Sequence, residues 1–289
     1  MSGLSSVSGR PPGHAPVSVI VITHNEEANL PHCLASVPFA RELIVVDSGS
    51  TDRTLEIARH FGAHVEHARD WRGYGLQKTR ALALARENWV LSLDADERVT
   101  PELQAEILRV VTASRPAADA WDMPRRSSFC GQFMNHSGWS PDRVLRLFRR
   151  GTARFSDDVL HERVIPDGWV RHFEHPLLHY SYPDLETVLE KMNRYSTAGA
   201  VRLASEGRSA SLASAMLHAA WTFVRMYIVR RGFLDGKLGF VLALSSAEGT
   251  FYRYLKLWLD LRGIRAMPAV TSGRTPASNS TEECGTKQR

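Results

Sequence analysis

Blocks of apolar residues alternate with blocks of polar ones through the first third of the chain, and the apolar spacing switches between a strand period and a helix period. Val17-Ser18-Val19-Ile20-Val21-Ile22-Thr23 is β-branched and of strand length; the polar stretch from His24 to Leu30 then turns into a helix for which Asn25 is a potential N-cap. The pattern recurs in Glu42-Leu43-Ile44-Val45-Val46, which runs into Asp47-Ser48-Gly49-Ser50-Thr51-Asp52, followed by helical spacing of Leu55, Ile57, Ala58 and Phe61. A third unit comprises a helix over Gln77 to Glu87 and an apolar strand from Trp89 to Leu93. A fourth helix starts after Asp96, with Thr100 as N-cap and Pro101 at its first position. Strands alternating with helices predict an α/β fold around a parallel sheet, since parallel neighbours need crossover connections. Ligands of such sheets bind beyond the carboxyl ends of the strands. Thr23, Asp47 and Asp94 all lie at predicted strand ends and should meet in one crevice.

Asp94-Ala95-Asp96 gives that crevice a chemistry. Two carboxylates one residue apart, where a strand opens into a loop, can grip Mg2+ or Mn2+ together with substrate phosphates. Taken alone, the pair reads equally as two acids solvating a surface turn; the convergence of three strand ends favours a site.

The set Ile22-Thr23-His24-Asn25-Glu26-Glu27, Val45-Val46-Asp47-Ser48-Gly49-Ser50-Thr51-Asp52 and Leu93-Asp94-Ala95-Asp96-Glu97 resembles the inverting nucleotide-sugar glycosyltransferases of family 2, which have the GT-A fold. Further segments, among them Pro124-Arg125-Arg126, His136-Ser137-Gly138-Trp139, His161-Glu162-Arg163-Val164 and Gly232-Phe233-Leu234-Asp235-Gly236, are similar to the bacterial lipopolysaccharide core β-1,4-glucosyltransferase branch, and the resemblance runs from Val17 to Gly263. It implies a nucleotide-sugar site in which Asp47 contacts the uracil or ribose and Thr23 and Glu26 line the base pocket. Asp94 and Asp96 would flank the metal and diphosphate, with Asp96 as the direct ligand. Family members often have Gln-Lys-Asn where this chain has Gln77-Lys78-Thr79; the amide is absent, and Lys78 or Arg80 is left to answer a phosphate. Inverting transfer needs a base to take the acceptor's proton. The matching position is Glu162, with Asp142, Asp157 and Asp158 as competitors and a structural pair with Arg163 or another arginine as the alternative role.

The segment from Asn135 to Asp142 is a polar turn carrying one large aromatic. Trp139 can serve as a stacking platform for an acceptor sugar or as a plug over the sheet. Asp142 and the following arginines, Arg146 among them, are the further acceptor or phosphate contacts. His172, His175 and His179 are close in sequence, but Pro176 interrupts them, and hydrogen-bonding roles fit better than zinc ligation. Cys33, Cys130 and Cys284 are too scattered for a disulfide framework.

Charge matters mainly through its distribution. The 289 residues carry a formal +5, yet from Lys191 to Arg265 there are 12 Lys and Arg against 4 Asp and Glu. That segment is also rich in aromatic and aliphatic residues, a composition suited to helices lying on an anionic membrane. A spanning helix is not expected, because the longest charge-free apolar run noted there, Leu238 to Ala247, is about half of the ~20 residues a span needs. Packing of these helices on the catalytic domain is the alternative. Nucleic-acid binding is not expected, since no recognised motif accompanies the charge. The chain divides into a disordered N-terminus (1–16), a GT-A catalytic domain (17–200), an amphipathic helical segment (201–264) and a disordered tail (265–289). The first segment has no apolar core of a secretory signal, so a cytoplasmic protein is expected. The resemblance implies metal-dependent, inverting transfer of glucose from UDP-glucose to a heptose of the lipopolysaccharide inner core. Transfer of another sugar, such as rhamnose from dTDP-rhamnose, to a different glycolipid and a catalytically silent membrane-bound scaffold are the competing readings.

Overall fold

The computed structural model describes residues 14–156 and 162–263. Asp157, Asp158 and His161, Cys284, and most of the two expected disordered ends lie outside the described residues.

The first half of the sheet is parallel. β1 (Ala15–Thr23), β2 (Ala40–Asp47), β3 (His64–His67) and β4 (Trp89–Asp94) stand in the order β3-β2-β1-β4. Between them run α1 (Leu30–Ala35), α2 (Thr54–His60) and α3 (Tyr74–Leu84), and after β4 come β5 (Glu97–Val99) and α4 (Pro101–Val111). Helices cover both faces. Val17, Val19 and Val21 of β1 pack with Leu30 and Leu34 of α1 and with Leu103 and Ile107 of α4. Ile20 packs instead with Ile44, Val46 and Ala81 of α3. Burial on both faces is why these strands read as continuous apolar runs. Thr100 caps α4 as expected, its Oγ1 accepting from Leu103 N–H at 3.2 Å. Asn25 does not cap α1. It lies in the left-handed region at φ 57°, and its Oδ1 accepts the Thr51 N–H at 2.8 Å, stitching the β1 and β2 loops together.

Beyond β4 the sheet is mixed. β6 (Ala120–Phe129), β7 (Gln132–Phe133), β8 (Arg143–Arg149), β9 (Ala153–Phe155), β10 (Val164–Pro166), β11 (Val170–His172) and β12 (Leu177–Tyr182) complete the strands, and the path continues β4-β8-β6-β12-β5. β8 is antiparallel to both β4 and β6, whereas β12 runs parallel to β6. This is the α/β arrangement that the resemblance implies for a GT-A domain. The register sets Thr23 beside Asp47 and Ile22 beside Asp94, so the predicted strand ends do align.

The C-terminal helices are packed onto this domain. α5 (Leu185–Ser205) runs through the expected boundary at residue 200; α6 (Leu212–Val224) follows and continues into a π-helical turn at Arg225–Val229. A 3-10 turn (Gly232–Asp235) then leads into α7 (Gly236–Asp260). Leu242 of α7 shares a core with Phe129, Met134 and Val188. Asp235 is the fastening: its buried carboxylate accepts the Asn135 N–H at 3.1 Å, the His136 N–H at 2.9 Å and a bond from His136 Nδ1 at 2.9 Å. A Cβ on Gly138 would run into the Arg230 guanidinium. The stretch Leu212–Val229, rather than Leu238–Ala247, is the one that is long and apolar enough by length and composition to cross a membrane. It contains Arg225 and so is excluded by a search for charge-free runs.

Candidate active site

A cleft of about 1260 Å3 opens at the carboxyl ends of the parallel strands, between the sheet and α5. Its floor is a ladder of side chains of alternating charge. Lys78, only 1% exposed, projects from α3 and places Nζ 2.5 Å from Glu162 Oε1 and 2.7 Å from Asp94 Oδ1. The other Asp94 oxygen accepts from Arg146, which also donates to Glu97 Oε1 at 2.7 Å. Glu97 lies 3.7 Å from Arg125, and Arg125 pairs with Asp142 at 2.8 Å. The run Glu162–Lys78–Asp94–Arg146–Glu97–Arg125–Asp142 therefore joins α3, β4, β5, β6 and β8 with the loops at either end of the cleft.

The ladder controls protonation. Burial pushes the Asp94 carboxyl up, but Arg146 and Lys78 outweigh it and hold the group well below the usual carboxylate range. Glu97 goes the other way: burial raises it, and the neighbouring Asp94 charge adds to that against the pull of Arg146. Burial tends to lower the Arg146 guanidinium, and Asp94 and Glu97 more than reverse it, so Arg146 stays charged.

Of the residues expected at a donor site, Glu26, Asp94 and Asp96 line the cleft. Burial raises the Glu26 carboxyl despite a 3.0 Å hydrogen bond from Asn29. Thr23 and Asp47 are buried beneath the lining. Asp47 accepts from Gly49 N–H and Ser50 N–H, both at 2.9 Å, and from the Ser50 hydroxyl at 2.5 Å, so it shapes the loop after β2 from within. Lys78 is likewise taken up by carboxylates, and Arg80 pairs with Asp70 at 2.6 Å. Neither stands as an unpaired phosphate contact.

Asp96 differs from Asp94. Its side chain is a quarter exposed, and its Oδ2 lies 3.3 Å from His179 Nε2; the other ring nitrogen of His179 is 2.9 Å from Ser127 Oγ. The three histidines thus separate: His172 bonds Asp122 at 2.8 Å, His175 sits 3.3 Å from Glu106, and only His179 reaches the cleft. Among the described residues no group of three or more His, Cys, Asp and Glu side chains is arranged to hold a metal.

Trp139 has the packing contacts of a plug, on Phe129 and Tyr182 with ring centroids 6.0 and 5.7 Å away, and also a face on the cleft. Asp142 lines the cleft too, but is bound to Arg125. Arg146 is buried in the ladder with its Nε unpartnered, so it braces the floor instead of standing free for an acceptor. Glu162 pairs with Lys78, not with the arginine considered as its structural partner.

Sequence reasoning passed over the contribution of α5. Lys191, Arg194 and Tyr195 line the cleft. Lys191 Nζ donates to Ser181 O at 2.7 Å and lies 4.5 Å from the Tyr182 ring centroid; neither Lys191 nor Arg194 has a carboxylate partner among the described residues. Their spacing of three on one helix, near the start of the basic segment, was the available signal.

A family model for Glycosyl transferase family 2 matches residues 18–172. The lipopolysaccharide core biosynthesis glycosyltransferase LpsC of Rhizobium meliloti (strain 1021) is 30% identical over 266 residues, covering 88% of this chain and 96% of its own length. Glycosyltransferase RT0209 of Rickettsia typhi is 30% identical over 252 residues, 83% of this chain and 86% of that one. Among solved structures, a mannosyltransferase from Pyrobaculum calidifontis in complex with GDP-Man and Mn2+ is 17% identical and covers 88% of this chain and 90% of its own, with a TM-score of 0.48.

Proposed function

Since the chain belongs to glycosyl transferase family 2, we propose that it transfers glucose from UDP-glucose, with inversion, to a sugar of the lipopolysaccharide inner core at the cytoplasmic face of the membrane. The observation that carries the reading is the cleft floor: Asp94, the acid that ends β4, and Glu162 are tied to one buried ammonium, so the carboxylate of the Asp-Ala-Asp motif and the acid assigned as base share one cavity. The similarity to LpsC supports the acceptor class.

In the proposed reaction the acceptor oxygen attacks the anomeric carbon from the face opposite the diphosphate. The new C–O bond forms as the bond to the β-phosphate oxygen breaks; Glu162 takes the acceptor proton, and the nucleoside diphosphate leaves with the electron pair. Lys78 holds the Glu162 carboxylate in place. Asp142 and Glu162 both line the cleft and both are paired with a cation, Arg125 and Lys78; Glu162 is assigned as base in this reading because it occupies the position that matches the family's acidic motif. Trp139 offers its ring to the acceptor, and Lys191 and Arg194 meet the diphosphate charge from the α5 side.

The residues present fit a divalent cation. Asp96 offers a partly exposed carboxylate at the cleft wall, and Mg2+ or Mn2+ is commonly held by one or two carboxylates together with substrate phosphate oxygens; His179 Nε2, 3.3 Å from it, would be a nitrogen neighbour better suited to Mn2+ than to Mg2+. When bound, the ion supplies Lewis-acid neutralisation of the leaving diphosphate. Asp94, with both oxygens on buried cations, serves in this reading as the counter-ion of the floor and not as a ligand. Calorimetric titration with UDP-glucose, with and without Mn2+, beside UDP-galactose and dTDP-rhamnose tests the proposal. Metal-dependent binding selective for UDP-glucose is expected. Preference for another nucleotide sugar rejects the glucose assignment, and absence of binding to every donor turns the chain into a scaffold.

A further inference from the structure

α6 is amphipathic with its apolar side turned outward, away from the domain. Met216, Leu217 and Trp221 are 60%, 71% and 58% exposed, and Val224 and Ile228 extend the same stripe into the π-helical turn. The other side faces α7: Ala215 is buried, Thr222 Oγ1 lies 3.3 Å from Thr250 Oγ1, and His218 stacks on Tyr254 at 4.1 Å. A contiguous exposed apolar stripe of this kind marks an interaction surface. Its charge setting identifies the occupant. Between Gly207 and Leu234 the chain has four arginines and no Asp or Glu, and the exposed Arg208, Arg225 and Arg231 bracket the stripe, with Lys237 just beyond.

We propose that this face of α6 and the following turn lies in the plane of an anionic lipid bilayer, its aliphatic residues and Trp221 at the acyl boundary and the arginines among the headgroups. A transverse orientation conflicts with the packing, because α7, against which α6 is bonded and stacked, carries Glu248, Arg253, Lys256 and Asp260 and is itself docked on the catalytic domain. The placement has a geometric consequence. The turn after α6 leads directly to Asp235, which fastens the loop preceding Trp139, so the acceptor wall of the cleft is held beside the lipid surface. That last step rests on the proposed transfer to a glycolipid; the membrane contact itself does not.

The test is co-sedimentation of the full chain with vesicles of phosphatidylcholine alone and with 30% phosphatidylglycerol as the probe composition, roughly bracketing a strongly anionic surface. Binding to the anionic vesicles and little to the neutral ones is expected, with a loss of at least about tenfold in partitioning for L217E/W221E, each ~1.4 kcal/mol being tenfold. An R225E/K237E variant should lose the anionic preference. Unchanged thermal midpoints and unchanged UDP-glucose titration establish that the variants fold and separate this result from the fate of the transferase reading. Equal binding of wild type and L217E/W221E overturns the proposal. So does a wild-type dimer in sedimentation velocity that the same substitutions disperse, which would make the stripe a contact between copies.

Discussion

Replacing Lys78 by Met removes one ammonium and leaves two carboxylates facing its site. Lys78 Nζ is 2.7 Å from Asp94 and 2.5 Å from Glu162, with the Lys78 side chain 2% exposed. Removing one partner of a buried ion pair costs about 3–5 kcal/mol, because the remaining charge is stranded. Here two features moderate the cost: Asp94 keeps Arg146, and the Glu162 side chain, 14% exposed, can turn toward the cleft. The expected loss for K78M is therefore at the lower edge, about 3 kcal/mol, which lowers the thermal midpoint by about 6–12 °C for a domain of this size. The informative comparison is with E162Q and the double variant. If the stranded Glu162 charge carries much of the penalty, adding E162Q to K78M should cost at least about 1 kcal/mol less than it does in the wild type. Thermal and urea unfolding of the four proteins measure this coupling. Strict additivity would refute the ladder as a coupled unit and reduce the contact to a coincidence of two side chains.

Asp96→Asn and His179→Gln should each weaken Mn2+-dependent UDP-glucose binding, by about 10-fold or more, and leave the thermal midpoint close to wild type; calorimetry with donor and metal decides, and unchanged affinity in both removes the cation from that wall. Glu162→Gln should retain donor binding and lose transfer, measured by product formation with purified acceptor; near-normal turnover moves the base elsewhere. Because the Asp94 carboxyl is held low, its contribution is fully present above the unfolded-state value of about 3.9 and is lost as pH falls below it toward the folded-state value. The drop in urea midpoint between about pH 5 and pH 3 should accordingly be smaller in D94N than in wild type, and equal slopes would contradict the ion pairs. Asp235→Ala strands three donors and should cost about 3 kcal/mol or more, with faster hydrogen exchange across 132–138; protection unchanged there would show that the apolar core alone seats α7.

The parallel half of the fold was legible because β1, β2 and β4 are buried on both faces and flanked by turn chemistry. β3, a four-residue edge strand with mostly exposed side chains, and β6, which carries Asp122, Arg125 and Arg126, give no such signal; their place depends on pairing with distant strands. The same holds within the site. Asp94 and Asp96 were visible as a pair, but their different surroundings depend on Lys78, Arg146 and His179, which come from α3, β8 and β12. Local sequence cannot show that Arg146 is buried against Asp94, nor that Lys78 spans two acids 68 positions apart. Glu97 was quoted as part of a motif without a role, since its work is to receive Arg146 and the Asp94 N–H.

The cations of the cleft floor are already spoken for: Lys78, Arg146 and Arg125 each face carboxylates of the same ladder. Positive charge not engaged in this way comes from Arg163 and, beyond residue 172 where the family match stops, from Lys191 and Arg194 on a helix that starts at Leu185. A fragment ending there would keep the matched family model while losing the two cations that α5 brings to the cleft. A family match that stops at residue 172 therefore describes only part of the cleft's lining, and a shortened homologue that matches it in full can still lack the charge that α5 contributes.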